Sequence, residues 1–179
     1  MTQTARVYGG SLYDLAAEEQ ITETMKDQLS VIRQLFRENP DYVRLLSEPS
    51  IPAKDRLGLI DEAFGGSAEH YVINFMKLLC EKDLMREFGG CCDEFIRRYN
   101  ADNGIAEAVV VSAVPLSESQ KDALTKKLCE ISGKQVELNL RTDPSVLGGI
   151  RVEIDGKLLD GTVKGRLSGI SRKIDEINL

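Results

Sequence analysis

Thr142–Leu167 reads TDPSVLGGIRVEIDGKLLDGTVKGRL. Five glycines and the steps Asp143-Pro144, Asp155-Gly156 and Asp160-Gly161 punctuate its short apolar runs. Asp143-Pro144 predicts a turn, Gly149 to Ile154 a strand, Asp155-Gly156 a tight reversal, and Lys157 to Leu159 a short return strand. Asp-Gly suits a two-residue hairpin because both central residues need positive φ. Asp160-Gly161 predicts a second reversal. From Thr162 the apolar period lengthens from two to about 3.6, with Val163, Leu167, Ile170, Ile174 and Ile177 on one stripe, so the hairpin feeds a terminal helix. These glycines either cradle a ligand or let the backbone turn.

Upstream of this stretch, Glu107 to Val114 is short and β-branched between Gly104 and Pro115, which predicts a buried strand. Ser117 and Gln120 form a capping box ahead of a helix bearing Leu124, Leu128 and Ile131, and Gly133 ends it. Val136 to Leu140 alternates and predicts a half-exposed strand. Residues 105–179 therefore read as a small α+β domain of about 75 residues, marginal if it had to stand alone.

Residues 1–104 read differently, as helix after helix. Tyr8, Leu12, Leu15 and Ala16 stripe the first, which Gly9-Gly10 weakens unless another backbone comes close there. Thr22 caps the second, with Met25, Leu29, Ile32 and Phe36 on one side. Asn39-Pro40 starts a short third through Leu45 and Leu46. Pro49 and Pro52 separate it from a fourth with Leu57, Ile60 and Phe64 inward, stopped by Gly65-Gly66. Ser67 begins a fifth carrying Tyr71, Val72, Phe75, Leu78 and Leu79, an apolar arc wider than one core face requires. The sixth holds Leu84, Phe88, Cys91, Phe95 and Tyr99, closed by Asn103-Gly104. Short turns between six helices predict an antiparallel bundle. The expected fold is mainly α, a six-helix bundle over residues 1–104 followed by the α+β domain.

With 42% hydrophobic residues the chain can build a core. Its mean hydropathy of -0.22 and lack of a long apolar run predict no transmembrane helix. The first residues lack the basic start and apolar block of a signal peptide, which predicts a chain that stays where it is made. Residues 1–104 carry 12 Lys+Arg against 18 Asp+Glu, and residues 105–179 carry 11 against 11. An acidic first half repels phosphate backbones, and the neutral second half does not invite them. Cys80, Cys91, Cys92 and Cys129 show no C-x-x-C spacing and read as reduced thiols.

A search for chemistry finds little. His70 is the one histidine and has no ligand-spaced companions, so no metal site is expected. Cys91-Cys92 could be a redox pair, but Cys91 falls on a buried stripe. Gly148-Gly149 lacks the lysine and hydroxyl of a phosphate loop and precedes a strand, whereas a dinucleotide fingerprint follows one. Gly161-Thr162 opens the terminal helix and could hold an anion beside Lys164 and Arg166. Asp143, Asp155 and Asp160 each sit where a turn favours Asp. No catalytic residue and no cofactor are expected. The wide arc of the fifth helix and the glycine notch of the first would together accept a partner helix, or both are used up by the chain's own core.

The chain resembles the δ subunits of F-type ATP synthases, the bacterial and chloroplast counterparts of the mitochondrial oligomycin-sensitivity-conferring protein. The matching residues run nearly end to end: Ala5-Arg6-x-Tyr8 with Leu12, Leu46-x-x-Pro49, Asn74-Phe75-x-x-Leu78-Leu79, and Val111-Ser112-Ala113 followed by Pro115-Leu116 and Gln120. The most specific part is the opening stretch, with Asp143-Pro144-Ser145, Gly148-Gly149, Asp160-Gly161-Thr162-Val163 and Gly165-Arg166-Leu167. The resemblance implies a non-catalytic stator on the cytoplasmic face of a bacterial membrane, attached through the synthase. Its first domain would grip N-terminal helical segments of α subunits through Tyr8, Leu12, Phe75 and Leu78. Its second would meet the C-terminal ends of the b subunits. Three departures stand out. Gly9-Gly10-Ser11 replaces an alanine-rich run and would loosen the first helix or admit a bulkier partner. Asp83 replaces a common arginine, and Asp155-Gly156 replaces Gly-Asp. The competing readings are a stand-alone adaptor or RNA-associated protein, and a thiol enzyme using Cys91 or Cys92.

Overall fold

The computed structural model describes residues 2–146, 148–154 and 156–161. The described residues are mainly helical, with one four-stranded sheet. The chain divides into two compact units, Met1–Tyr99 and Asn100–Leu179. None of the described helices is long and apolar enough to cross a membrane.

The first unit is built from α1 (Gln3–Glu18), α2 (Thr22–Glu38), α3 (Pro40–Leu46), α4 (Ala53–Phe64), α5 (His70–Glu81), a 3₁₀ turn (Met85–Glu87) and α6 (Phe88–Asp102). Each α-helix turns its apolar stripe inward, and the stripes meet in one core that includes Met25, Leu29, Ile60, Met76, Phe88 and Phe95. Phe36 is the hub of an aromatic cluster, with ring centroids 4.9 Å from Phe88, 5.8 Å from Tyr42 and 6.1 Å from Phe64. The Tyr42 hydroxyl reaches past this cluster to donate to the Leu59 carbonyl at 2.9 Å, so its polar end is satisfied while its ring packs.

Several helix ends differ from the sequence expectations. Thr22 is the first residue of α2 rather than its cap; Ile21 precedes it, and the Ile21 carbonyl accepts from Met25 N at 3.0 Å. Pro40 does open α3, but the Asn39 side chain turns back to donate to the Leu35 carbonyl, sealing the end of α2 instead. Ser67 does not begin α5. The backbone amides of Ser67 and Ala68 both return to the Phe64 carbonyl, completing a turn after α4, and α5 starts only at His70. Leu84 lies before the 3₁₀ turn rather than on α6.

A buried arginine ties this unit together. Arg56 of α4 is almost fully buried, and its Nη1 donates to the Leu46 carbonyl (3.1 Å), the Cys80 carbonyl (3.4 Å) and Asp83 Oδ1 (3.0 Å). The guanidinium thus satisfies carbonyls at the C-terminal ends of α3 and α5 together, groups a helix leaves unpaired. Asp83 stands just past α5 in the left-handed region, φ 55.

The second unit holds β1 (Ile105–Ser112), α7 (Glu118–Ser132), β2 (Gln135–Thr142), β3 (Ile150–Ile154) and β4 (Lys157–Asp160), in the order β2-β1-β3-β4. β1 and β2 are parallel, a pairing that needs a crossover, which α7 supplies. The Ser117–Gln120 capping box starts α7, and Gly133 at φ 68 ends it. β3 runs antiparallel to β1 and β4 antiparallel to β3. Ala106, Ala108, Val110, Val152 and Ile154 form the buried face with Leu128 of α7.

In the opening stretch, Asp143 Oδ1 accepts from Ser145 N at 2.9 Å, a side-chain-closed turn. Gly148 and Gly149 take φ values of 67° and 83°, a conformation open to glycine at low cost. Ile154 pairs with Lys157 across a two-residue reversal containing Gly156 at φ 73. Asp160 is the last residue of β4, paired with Arg151, so it extends a strand rather than making the expected turn. Asp155, Gly165, Leu167 and the expected terminal helix lie outside the described residues.

Candidate partner-binding groove

The groove is set by where α1 spends its two sides. Thr2 caps α1, its hydroxyl accepting from Ala5 N at 3.1 Å. Ala5 and Gly9 then face α6. A Cβ built on Gly9 would lie 3.0 Å from the Cys91 carbonyl carbon and closer still to its oxygen, and one built on Gly90 would lie 2.9 Å from the Ala5 Cβ. The two helices are close because both present small residues. A Cβ on Gly10 would lie 2.8 Å from Arg98 Cζ; the glycine leaves room for that guanidinium to cross onto α1. Tyr13 adds an edge-on contact with Phe95, centroids 5.3 Å apart.

Charge reinforces this seam. Glu94 is buried on α6, and its carboxylate receives Arg97 Nε (2.8 Å) and Nη2 (2.7 Å) as well as Arg98 Nε (3.0 Å). The Arg98 Nη1 continues to Asp14 of α1 at 2.9 Å. Hydrogen bonds from Arg97 outweigh burial and, with those from Arg98, lower the Glu94 pKa to about 2. The glycine pair is therefore occupied by the chain's own α6. This corrects the expectation that it forms part of a notch for a partner.

The opposite side of α1 meets α5, and between them lies a groove of about 230 Å³ lined by Tyr8, Ser11, Leu12 and Leu15 from α1 and by Tyr71, Asn74, Phe75 and Leu78 from α5. Leu12 and Phe75 are buried and form its floor, whereas Leu78 stands 40% exposed at the lip. The lining is almost wholly apolar, which fits an amphipathic helix laid in a groove rather than a reacting substrate. Tyr8, Leu12, Phe75 and Leu78, singled out from the sequence, are all brought together here. Tyr71 belongs to the wide arc expected of the fifth helix; Ser11, Leu15 and Asn74 complete an i, i+3, i+4, i+7 pattern with Tyr8 and Leu12 on α1 and with Tyr71, Phe75 and Leu78 on α5, which is the signal that marks them.

The other candidate sites dissolve. Burial pushes the Cys91 thiol up to about 11 and raises Cys92 further, the opposite of the activation a thiol nucleophile needs. His70 is exposed, stacks on Tyr71 with centroids 3.8 Å apart and has Glu69 at 3.9 Å. Among the described residues no three His, Cys, Asp or Glu side chains converge as a metal site would require. The Gly161 amide donates to the Ile150 carbonyl at 2.9 Å and is not offered to an anion; Thr162, Lys164 and Arg166 lie outside the described residues. Asp143 closes its own turn, and its carboxylate is held below the usual range by its hydrogen bonds with Ser145.

Known proteins match this chain over nearly its whole length. Residues 4–174 match the family described as ATP synthase delta (OSCP) subunit. A Lachnoclostridium phytofermentans protein named ATP synthase subunit delta is 28% identical, over 98% of this chain and 97% of that one. A Gloeobacter violaceus protein of the same name is 31% identical, over 96% of this chain and 94% of its own. A chain of the Toxoplasma gondii mitochondrial ATP synthase hexamer, solved by cryo-EM, shares the fold with a TM-score of 0.74 at 16% identity, over 97% of this chain and 98% of that one. With a family match that spans both units, this chain belongs to the ATP synthase delta (OSCP) subunit family.

Proposed function

We propose that this chain is a non-catalytic stator subunit in the peripheral stalk of an F-type ATP synthase. It joins the catalytic head to the b subunits, so that the head does not turn with the rotor and proton-driven torque becomes ATP synthesis. In this reading residues 1–104 act as an antiparallel six-helix bundle that holds an N-terminal helix of an α subunit. Residues 105–179, with the glycine-rich hairpin and a terminal helix, meet the C-terminal ends of the b subunits. The protein sits at the cytoplasmic face of a bacterial membrane, peripherally, through the complex. Asp143, Gly148, Gly149, Asp160, Gly161, Gly165 and Leu167 serve the second domain as turn and packing positions, with no chemical role.

The observation that carries the reading is the apolar groove between α1 and α5 in a chain of this family. A stator needs adhesion without turnover, and a floor of Leu12 and Phe75 with no polar constellation beside it offers that. The adaptor or RNA-associated reading gains no such feature, and the thiol-enzyme reading is opposed by the raised pKa of both vicinal cysteines.

Calorimetry of the full-length protein with a synthetic peptide of the same organism's α-subunit N-terminus tests it. Tyr8→Asp and Leu78→Asp should each weaken binding about tenfold or more, since a charge in an apolar contact is costly to desolvate. Tyr8 is half-buried and Leu78 exposed, so the variants should fold. No heat of binding with the unmodified protein, or unchanged binding by both variants, overturns the groove assignment.

A further inference from the structure

Six of the eight residues lining the groove are aromatic or leucine; Ser11 and Asn74 are the exceptions. Each directly precedes a floor residue, Leu12 on α1 and Phe75 on α5. Each also lies near the middle of its wall. Ser11 stands three residues after Tyr8 and four before Leu15, and Asn74 stands three after Tyr71 and four before Leu78. At 1.5 Å per residue that is about 4.5 and 6 Å from the two ends of the lined stretch, whichever way the helices run past each other.

Both side chains are exposed, and neither has a hydrogen-bond partner among the described residues. Other helical hydroxyls behave differently: those of Ser30 and Thr125 donate to the carbonyl four residues earlier, at 2.8 and 2.9 Å. The first charged residues after Ser11 and Asn74 are paired elsewhere. Asp14 accepts from Arg98 Nη1 at 2.9 Å, and Lys77 reaches Asp61 at 2.6 Å. The middle of the groove therefore presents a neutral hydroxyl and a neutral carboxamide with their hydrogen-bonding capacity unused by the chain.

Water satisfies these groups while the groove is open. A helix laid over it removes that water, and a buried hydroxyl or amide left without a partner is destabilising. A carboxamide both donates and accepts, as does a hydroxyl. A carboxylate only accepts and an ammonium only donates, and either loses its hydration in an apolar contact. The matching side chain is thus Asn, Gln, Ser or Thr. One polar group inside an apolar helix contact also sets register, because a shift along the axis leaves it facing leucine.

We propose that Asn74, with Ser11 on the other wall, is the specificity-determining feature of the groove, reading an uncharged hydrogen-bonding side chain in the middle of the partner helix's apolar stripe. This rests on the docking reading above and adds to it the chemistry of the occupant's central residue. The apolar floor holds the helix, and the polar pair decides where along its length it is held.

The test uses the full-length protein, its Ser11→Ala/Asn74→Leu variant and the α-subunit N-terminal peptide, titrated by calorimetry. Both positions are exposed, so the variant keeps its core. In the peptide each Asn, Gln, Ser and Thr is replaced by alanine in turn. One replacement should weaken binding to the natural protein about tenfold and binding to the variant less than about twofold. With leucine at that peptide position the preference should reverse, the peptide binding the variant more tightly than the natural protein. The coupling should persist at high salt, since no ion pair carries it. If no replacement distinguishes the two proteins, or the leucine peptide prefers the natural one, the proposal is overturned and the docking reading stands. Failure of the unreplaced peptide to bind the natural protein overturns both.

Discussion

Gly9 of α1 lies directly against the backbone of Cys91 of α6, so closely that an added Cβ would sit 3.0 Å from the Cys91 Cα and carbonyl carbon. The contact is backbone to backbone, and no flexible side chain can move aside to relieve it. Gly9→Ala should therefore destabilise the protein by about 1–3 kcal/mol of overpacking, against a helix-propensity gain of about 1 kcal/mol. The result should be a lower urea midpoint. Gly58, inside α4 with nothing within 4 Å of a built Cβ, is the control: Gly58→Ala should stabilise by about 0.5–1 kcal/mol and so raise the midpoint. A rise for Gly9→Ala would show that the two helices separate at little cost.

Arg56 should be among the costliest polar residues to replace. Arg56→Met keeps much of the volume but removes the charged donor shared by the Leu46 and Cys80 carbonyls, leaving them only the weak Cys80 thiol and the Asp83 backbone amide. The expected loss is about 2–4 kcal/mol in chemical denaturation. Asp83→Asn should cost under about 1 kcal/mol, because that carboxylate is more than half exposed and screened by water. Equal losses for the two variants would mean that the ion pair, and not the capping of two helix ends, is what Arg56 provides.

Acid should expose the Glu94 network. Its folded pKa of about 2 lies below the unfolded value near ~4.3. Its stabilisation is therefore complete above about pH 5 and is lost as the pH falls through 4 towards 2. The contribution is of order 2–3 kcal/mol at neutral pH. Urea midpoints measured from pH 6 to pH 3 should fall more steeply for the natural sequence than for Glu94→Gln. Parallel curves would place the acid sensitivity elsewhere.

Thiol chemistry offers an independent check on the core. With its pKa near 11, Cys91 is about one part in a thousand thiolate at pH 8, and Cys92 and Cys80 are raised by burial as well. Iodoacetamide at pH 8 should label the part-buried Cys129 first, and the other three only after denaturant is added. Rapid labelling of Cys91 or Cys92 in the native protein would contradict their place in the core.

Much of this architecture could be read from residue spacing, because helices and strands announce themselves by local period. Tyr8, Leu12, Phe75 and Leu78 share a side of their helices for that reason, and Ser117, Gln120 and Gly133 bracket α7 by chemistry written within four residues. What could not be read depends on neighbours far along the chain. Gly9 alone left a tolerated defect and a close approach by another backbone equally open, and Cys91, more than eighty positions away, decides for the second. Arg56 carries no signal of its own in the sequence, since nothing nearby marks it as a donor to the ends of two other helices. Thr22 and Ser67 have good capping side chains, yet the Met25 amide goes to the Ile21 carbonyl and the Glu69 amide to the Gln28 side chain, so neither hydroxyl caps. Asp160 reads as a turn residue, and pairing with Arg151 keeps it in a strand. Local preference yields where a longer-range partner is available.

The seating of α1 has a mechanical meaning. A helix resting on rotatable side chains can slide by changing rotamers, which makes it compliant. α1 rests instead on the main chain of α6 at Gly9, Ala5 and Gly90 and is bolted at Arg98 to Asp14 and Glu94, so it has few soft modes. Under a load applied from the groove side, this wall should give less than an alanine-lined one. The glycines that weaken α1 as an isolated helix make it stiff within the protein, and stiffness is what a part that resists twisting must have.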